Sequence, residues 1–147
     1  MPDALQLLGT ATLSISAALP ATYDSTGFAA LTYTPVGEVV DVPEFGKSAQ
    51  LVMHNPIGGT SVQKLKGSFN QGSTTIVMAR DDDDAGQVIC LAGLAAATAY
   101  SIKITYADAT VDYFTALVMS YNSQGGTRDS IVNRVMQLEI NSDVVTA

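Results

Sequence analysis

The chain holds few side chains able to do chemistry, and their spacing limits what they can do. His54 is the only histidine. Any Ser-His-Asp or Cys-His site would have to be built on it. It precedes Asn55 and Pro56 in a glycine-rich loop, and no G-x-S-x-G elbow occurs anywhere. A surface or structural histidine is the expectation. Cys90 is the only cysteine, so no disulfide can form within the chain. It lies among apolar residues, where a thiol behaves as a small hydrophobe. The run Asp81 to Asp84 invites a calcium reading. Counted from Asp81, the sixth residue is Gly86, as an EF-hand loop requires, but the fifth is Ala85 and the twelfth is Ala92. Neither can supply the oxygen those positions need. The aspartates read instead as the acidic start of a helix, where carboxylates cap free N–H groups and meet the positive end of the dipole. No catalytic set, metal site or cofactor is expected.

The composition narrows the function further. The 147 residues suit one domain and a substantial core. Seven Lys and Arg stand against fourteen Asp and Glu, for a net charge of −7. Such a chain has no basic footprint for gripping nucleic acid, and an acidic surface repels phosphates. Its glycine clusters fall in turns rather than between a strand and a helix, so no phosphate cradle is expected. No cationic start leads into an apolar run, and no apolar stretch reaches the roughly 18 residues of a membrane span. Synthesis in the cytoplasm is expected, without a signal peptide.

The elements that must position these residues are mostly strands. TATLSISA alternates Leu13 and Ile15 against Thr12, Ser14 and Ser16, a half-buried strand. Residues 20–27 read as a loop, and FAALTYTPVGEVVDV as an extended stretch with Val36, Val40 and Val42 on one face. Residues 43–68 contain two glycine-rich turns and three of the basic residues. They read as a long hairpin or loop projecting from the domain, with Lys64 and Lys66 alternating against Leu65 and Phe69. In GSTTIVMAR, Thr74, Ile76 and Met78 share a face. From about Asp82 to Ala97 the residues Ala85, Val88, Ile89, Ala92, Ala95 and Ala96 recur at helical spacing. AYSIKITY and VDYFTALVMSY follow as strands joined by the turn ADAT. After a turn at NSQGGTR, SIVNRVMQLEI is the last strand, and residues 141–147 form a tail. The fold class expected is mainly β: an antiparallel sandwich or barrel with one flanking α-helix.

VDYFTALVMSY is apolar on both faces, with Tyr113, Leu117, Met119 and Tyr121 on one and Phe114, Ala116 and Val118 on the other. Antiparallel strands usually keep one face in water. Something must therefore cover each side here, either the helix or a neighbouring subunit.

The order of elements resembles that of bacteriophage tail tube proteins, a family related in fold to secretion-system tube proteins. TPVGEVVDVPEFG, the pair YSIKITYADATVDYFTALVMSYNS and the closing SIVNRVMQLEIN carry the resemblance, with the helix before Tyr100 in its expected place. It covers roughly residues 36–141; residues 1–33 match nothing in it, and residues 1–11 are read as an N-terminal arm. The resemblance implies a structural virion subunit of a phage tail, of the long, flexible siphophage type. Homo-hexameric rings would stack into a tube and conduct DNA through an acidic lumen without specific binding during genome ejection. Further partners would be the tape measure, tail terminator and distal tail proteins.

Candidate lumen acids are Glu38, Asp41, Asp108, Asp112 and Glu139. Candidate inter-subunit residues are Pro43, Phe45, Ile57, Lys64, Lys66, Tyr113 and Tyr121. The competing reading is an immunoglobulin-like binding or virion-decoration module, which would not polymerise.

Overall fold

A computed structural model describes Gly9 and residues 11–147; apart from Gly9 and Ala11, the expected N-terminal arm lies outside the described residues. Eight strands form one curled antiparallel sheet, seven of them in the order β2-β1-β7-β8-β9-β6-β3. These seven are β1 (Thr12–Ser16), β2 (Thr34–Pro35), β3 (Val39–Asp41), β6 (Ser73–Ala79), β7 (Tyr100–Thr105), β8 (Val111–Gln124) and β9 (Asn133–Ile140). A short β10 (Val145–Thr146) pairs with the start of β8, so the end of the C-terminal tail is tied to the sheet. Strands β4 (Ser48–His54) and β5 (Gln63–Asn70) make a separate two-stranded hairpin. This is the expected mainly β fold with a flanking helix. The sheet edges β2 and β3 are only two and three residues long, which blunts them against edge pairing.

The core lies on the concave face. Ile15, Ile76, Met78, Ile102, Phe114, Met136 and Leu138 are fully buried there. Cross-strand pairs such as Ile102 with Phe114 and Val118 with Leu138 set the register. Between Val118 and Ser120 the register shifts. This bulge returns Tyr121 to the core side, opposite Met136, and leaves Met119 exposed.

The chain itself covers the second apolar face of β8 at Tyr113, while Leu117 is half-buried and Met119 exposed. Residues 20–27, expected as a loop, run into a helix, α1 (Ser25–Ala29). Asp24 caps it by accepting from Gly27 N at 2.7 Å, and that bond holds the Asp24 carboxyl below its ordinary value. The helix delivers Phe28 onto the convex face, where its ring stacks on Tyr113 at 5.4 Å. Tyr23 and Tyr33 complete this small aromatic cluster. The same cover buries Ser14 and Ser16, so β1 is closed on both faces and not half-buried.

The long helix, α2, runs over Ala85–Ala95, shorter than the expected 82–97. Asp84 takes the N-cap position, and Ala96 is already extended at ψ 145°. Its inner face also differs from expectation. It buries Gly86, Gln87, Cys90 and Gly93. A Cβ on Gly93 would lie 2.9 Å from Val118 Cγ2 and 3.2 Å from the Tyr100 ring, and one on Gly86 would strike the backbone of Pro35. The helix thus lies too close to the sheet for larger residues at 86 and 93; Ile89 packs against the core, and Val88, Leu91 and Leu94 face outward. In the 36–42 stretch Val36 and Val42 pack inward, but Val40 is exposed, because a bulge between Val39 and Asp41 breaks the alternation.

Candidate assembly interface

The β4–β5 hairpin is a surface that its own chain leaves uncovered. Every residue of both strands is exposed except Gly67, which is half-buried. Leu51 pairs with Lys66, Val52 with Leu65, and Met53 with Lys64. Residues opposite one another share a face, so Leu51, Met53, Lys64 and Lys66 stand together, and Val52 and Leu65 stand behind them. A register shift at Gly67 and Ser68 sets Phe69 opposite Ala49 and onto the lysine face, not with Leu65 as simple alternation implied. At the tip, Ile57 is fully exposed in the Asn55–Gly59 turn. A two-stranded ribbon with apolar residues on both faces has little reason to hold its shape alone.

The outer face of α2 is the second uncovered surface. Val88, Leu91 and Leu94 are 52%, 50% and 40% exposed. No charged residue occurs between Ala85 and Ala95. Beside this face a groove of about 260 Å³ is lined by Asp82, Gln87, Val88, Leu91, Tyr121 and Arg134.

The groove is held by a polar hub that uses the aspartate run. Gln87, 2% exposed, donates through Nε2 to the carbonyls of Ala79 at 2.8 Å and Gly37 at 3.2 Å. Its Oε1 accepts from Asp81 N at 3.0 Å and from the Tyr121 hydroxyl at 3.3 Å. Asp84 Oδ2 accepts from Gln87 N and Gly37 N, both at 3.0 Å. Asp82 accepts from Arg80 at 2.8 Å and Arg134 at 3.2 Å, and these bonds hold its carboxyl below the ordinary value. The Arg134 guanidinium lies 5.1 Å from the Tyr121 ring centroid. Among the described residues, no three His, Cys, Asp or Glu side chains gather closely enough to hold a metal ion, and no helix is long and apolar enough to cross a membrane. His54 ends β4, paired with Gln63 on the exposed hairpin. Cys90 is buried, and burial raises its thiol to about 12.

The candidate residues separate on this frame. Ile57, Lys64 and Lys66 lie exposed on the hairpin, and Pro43 is half-buried at its root. Tyr113 and Tyr121 have little surface left for a neighbour, and Phe45 is half-buried. Phe45 packs 5.3 Å from the Phe114 ring, and Tyr113 and Tyr121 are 5% and 6% exposed. Of the acids, Asp41 and Glu139 share the outer face of the sheet: Asp41 opposes Val77, and Glu139 opposes Ser73 and Leu117. Glu38 sits in a turn at φ 60°. Asp108 sits in the β7–β8 turn, bonded to Thr110. Asp112 accepts from Tyr106 and Thr146, each at 2.7 Å, and so ties β10 to β8. Burial and this bond push the Tyr106 hydroxyl up. Val88 faces outward against the periodicity, together with Leu91 and Leu94, which lie off the periodic stripe and were not singled out. The available signal was a helix apolar on every side, which needs cover on every side.

No family model matches the chain, and no curated protein matches it. Solved structures do. A chain of the anti-feeding prophage baseplate, determined with 6-fold symmetry, matches with a TM-score of 0.72 at 10% identity, over 99% of this chain and 97% of that one. A chain from the sheath/tube terminator of the PVC extracellular contractile injection system matches at 0.68 and 12% identity, over 99% and 98%. A chain of the SPP1 tail tube matches at 0.65 and 11% identity, over 92% and 75%. What these chains share with this one is the fold.

Proposed function

We propose that this chain is a non-enzymatic structural subunit of a phage-type tail tube, working in the virion. Subunits join head-to-tail into six-membered rings, the rings stack, and DNA passes through the lumen. The observation that carries this reading is the end-to-end likeness in fold to tube, tube-terminator and baseplate chains. Two features of the chain support it. The hairpin and the outer face of α2 are apolar surfaces of the kind that assembly buries. Contact between two different patches of identical chains is head-to-tail, and head-to-tail contacts close into rings when the rotation allows.

The mechanism is passive. The part of the outer sheet face left open around Asp41 and Glu139 forms the lumen wall, and the net charge of −7 makes the tube repel phosphates. DNA then slides without a resting site. The tube ends on other tail proteins: the tape measure within, a terminator above and a distal tail protein below. Negative-stain microscopy of the concentrated protein tests the reading directly. Hollow filaments with six-fold cross-sections are expected; a monodisperse monomer at every concentration and salt would overturn it.

A further inference from the structure

We infer that the lysine face of one subunit's β4–β5 hairpin docks on the outer face of α2 in a second copy. This rests on the tube-subunit reading above and names the surface that receives the hairpin. Two halves of a contact are present on one chain, and each lacks what the other carries.

The hairpin half presents Leu51, Met53 and Phe69 with Lys64 and Lys66 on a single face. The other cations are engaged or lie apart. Arg80 and Arg134 bind Asp82, Lys47 binds Asp143 at 3.3 Å and lies 5.0 Å from the Phe69 ring centroid, and Lys103 lies over the Tyr33 ring. Arg128 is exposed in the turn between β8 and β9. Lys64 and Lys66 have no acid or ring partner among the described residues. The α2 half presents Val88, Leu91 and Leu94, and at its N-terminal end the exposed Asp81 and Asp83. Charge is therefore complementary, with acid at the rim of the helix face and base at the rim of the hairpin face.

Dimensions agree. Val88 to Leu94 spans about 9 Å of helix, and Leu51 to Met53 spans about 7 Å of strand. The groove between Val88, Leu91, Tyr121 and Arg134 has room for one leucine or methionine side chain. Only a second copy satisfies both halves repeatedly, since each subunit gives a hairpin and offers a helix.

The test is disulfide trapping in the full chain with Cys90→Ala as background. Met53→Cys and Leu91→Cys proteins are mixed, assembled and mildly oxidised, and each sample is also imaged. The expected result is a cross-linked dimer in the mixture and in neither protein alone, with Val52→Cys on the opposite hairpin face giving none. Tubes without that cross-link, or tubes in which Val52→Cys links instead, would overturn the docking and leave the tube reading standing. Absence of any assembly would overturn both.

A charge swap gives an independent readout. Lys64→Glu with Lys66→Glu should raise the concentration needed for assembly by about tenfold. Adding Asp81→Lys and Asp83→Lys should restore it. If the quadruple variant assembles worse than the double, the pairing is wrong.

Discussion

Asp84 and Gly37 are 47 residues apart in sequence and share one bond: Gly37 N donates to Asp84 Oδ2 at 3.0 Å. The same oxygen caps α2 through Gln87 N. One carboxylate therefore starts the helix and fixes the β2–β3 turn against it. The helix, the turn carrying Glu38, and the groove beside Val88 are set by a single residue of the aspartate run.

The run should accordingly divide on mutation. Asp84→Ala removes a helix cap and leaves Gly37 N unpaired, which should cost about 2 kcal/mol. Asp83 bonds to Asp81 through its backbone N–H, which Asp83→Ala keeps. That substitution should cost less than about 0.5 kcal/mol. Urea denaturation of both variants measures this, and equal losses would contradict the division.

Alkaline pH should weaken the fold. Burial raises the Cys90 thiol from 9.0 to about 12. Burial, with Tyr113 nearby, raises the Tyr33 hydroxyl from 10.0 to about 12. The folded state thus holds these protons more tightly than the unfolded chain. The stability this contributes is complete below about pH 9 and is lost as pH rises toward 12. Urea midpoints taken across that window should fall, and Cys90→Ala should shallow the early part of the fall. The thiol should also resist alkylation until the protein unfolds.

Excising the hairpin should separate folding from assembly. Phe45 packs on Phe114, so the cut must leave the root intact. Ser48 and Asn70 are paired, and an Asn-Gly turn can join them. The shortened chain should keep its melting temperature within a few degrees and form no filaments. Filaments of normal diameter would show that the hairpin is dispensable.

Reversing the acids of the outer sheet face should alter conduction but not assembly. Asp41→Lys with Glu139→Lys should slow DNA ejection from particles, most strongly at low salt where screening is weak. Asp112→Asn should act differently: it loosens β10 by weakening the bonds from Tyr106 and Thr146, and its effect should be on stability. Unchanged ejection in the double reversal at low salt would remove these two residues from the lumen wall.

Much of the fold is legible in the sequence because strand signals are local. Thr74, Ile76 and Met78 alternate inward as their spacing requires, and the projecting hairpin is marked by its glycines and its lysines. The absence of a nucleophile–histidine motif and of EF-hand spacing is likewise a property of the sequence alone.

Which face of each element turns inward was decided only in the tertiary structure. A single bulge at Val40, Gly67 or Met119 reverses everything beyond it, and bulges leave weak sequence marks. The α2 stripe is the clearest case. Helical periodicity places Ala85, Val88, Ile89, Ala92, Ala95 and Ala96 inward; Ile89 and Ala96 do pack against the core, but Ala85, Val88, Ala92 and Ala95 are exposed. Close approach to Pro35, Tyr100 and Val118 requires glycine at 86 and 93, with Gln87 and Cys90 buried between them, so Val88 and Leu91 face out. Sequence determined that the helix is apolar on all sides. Only the packing distance between helix and sheet decided which side was left for another subunit.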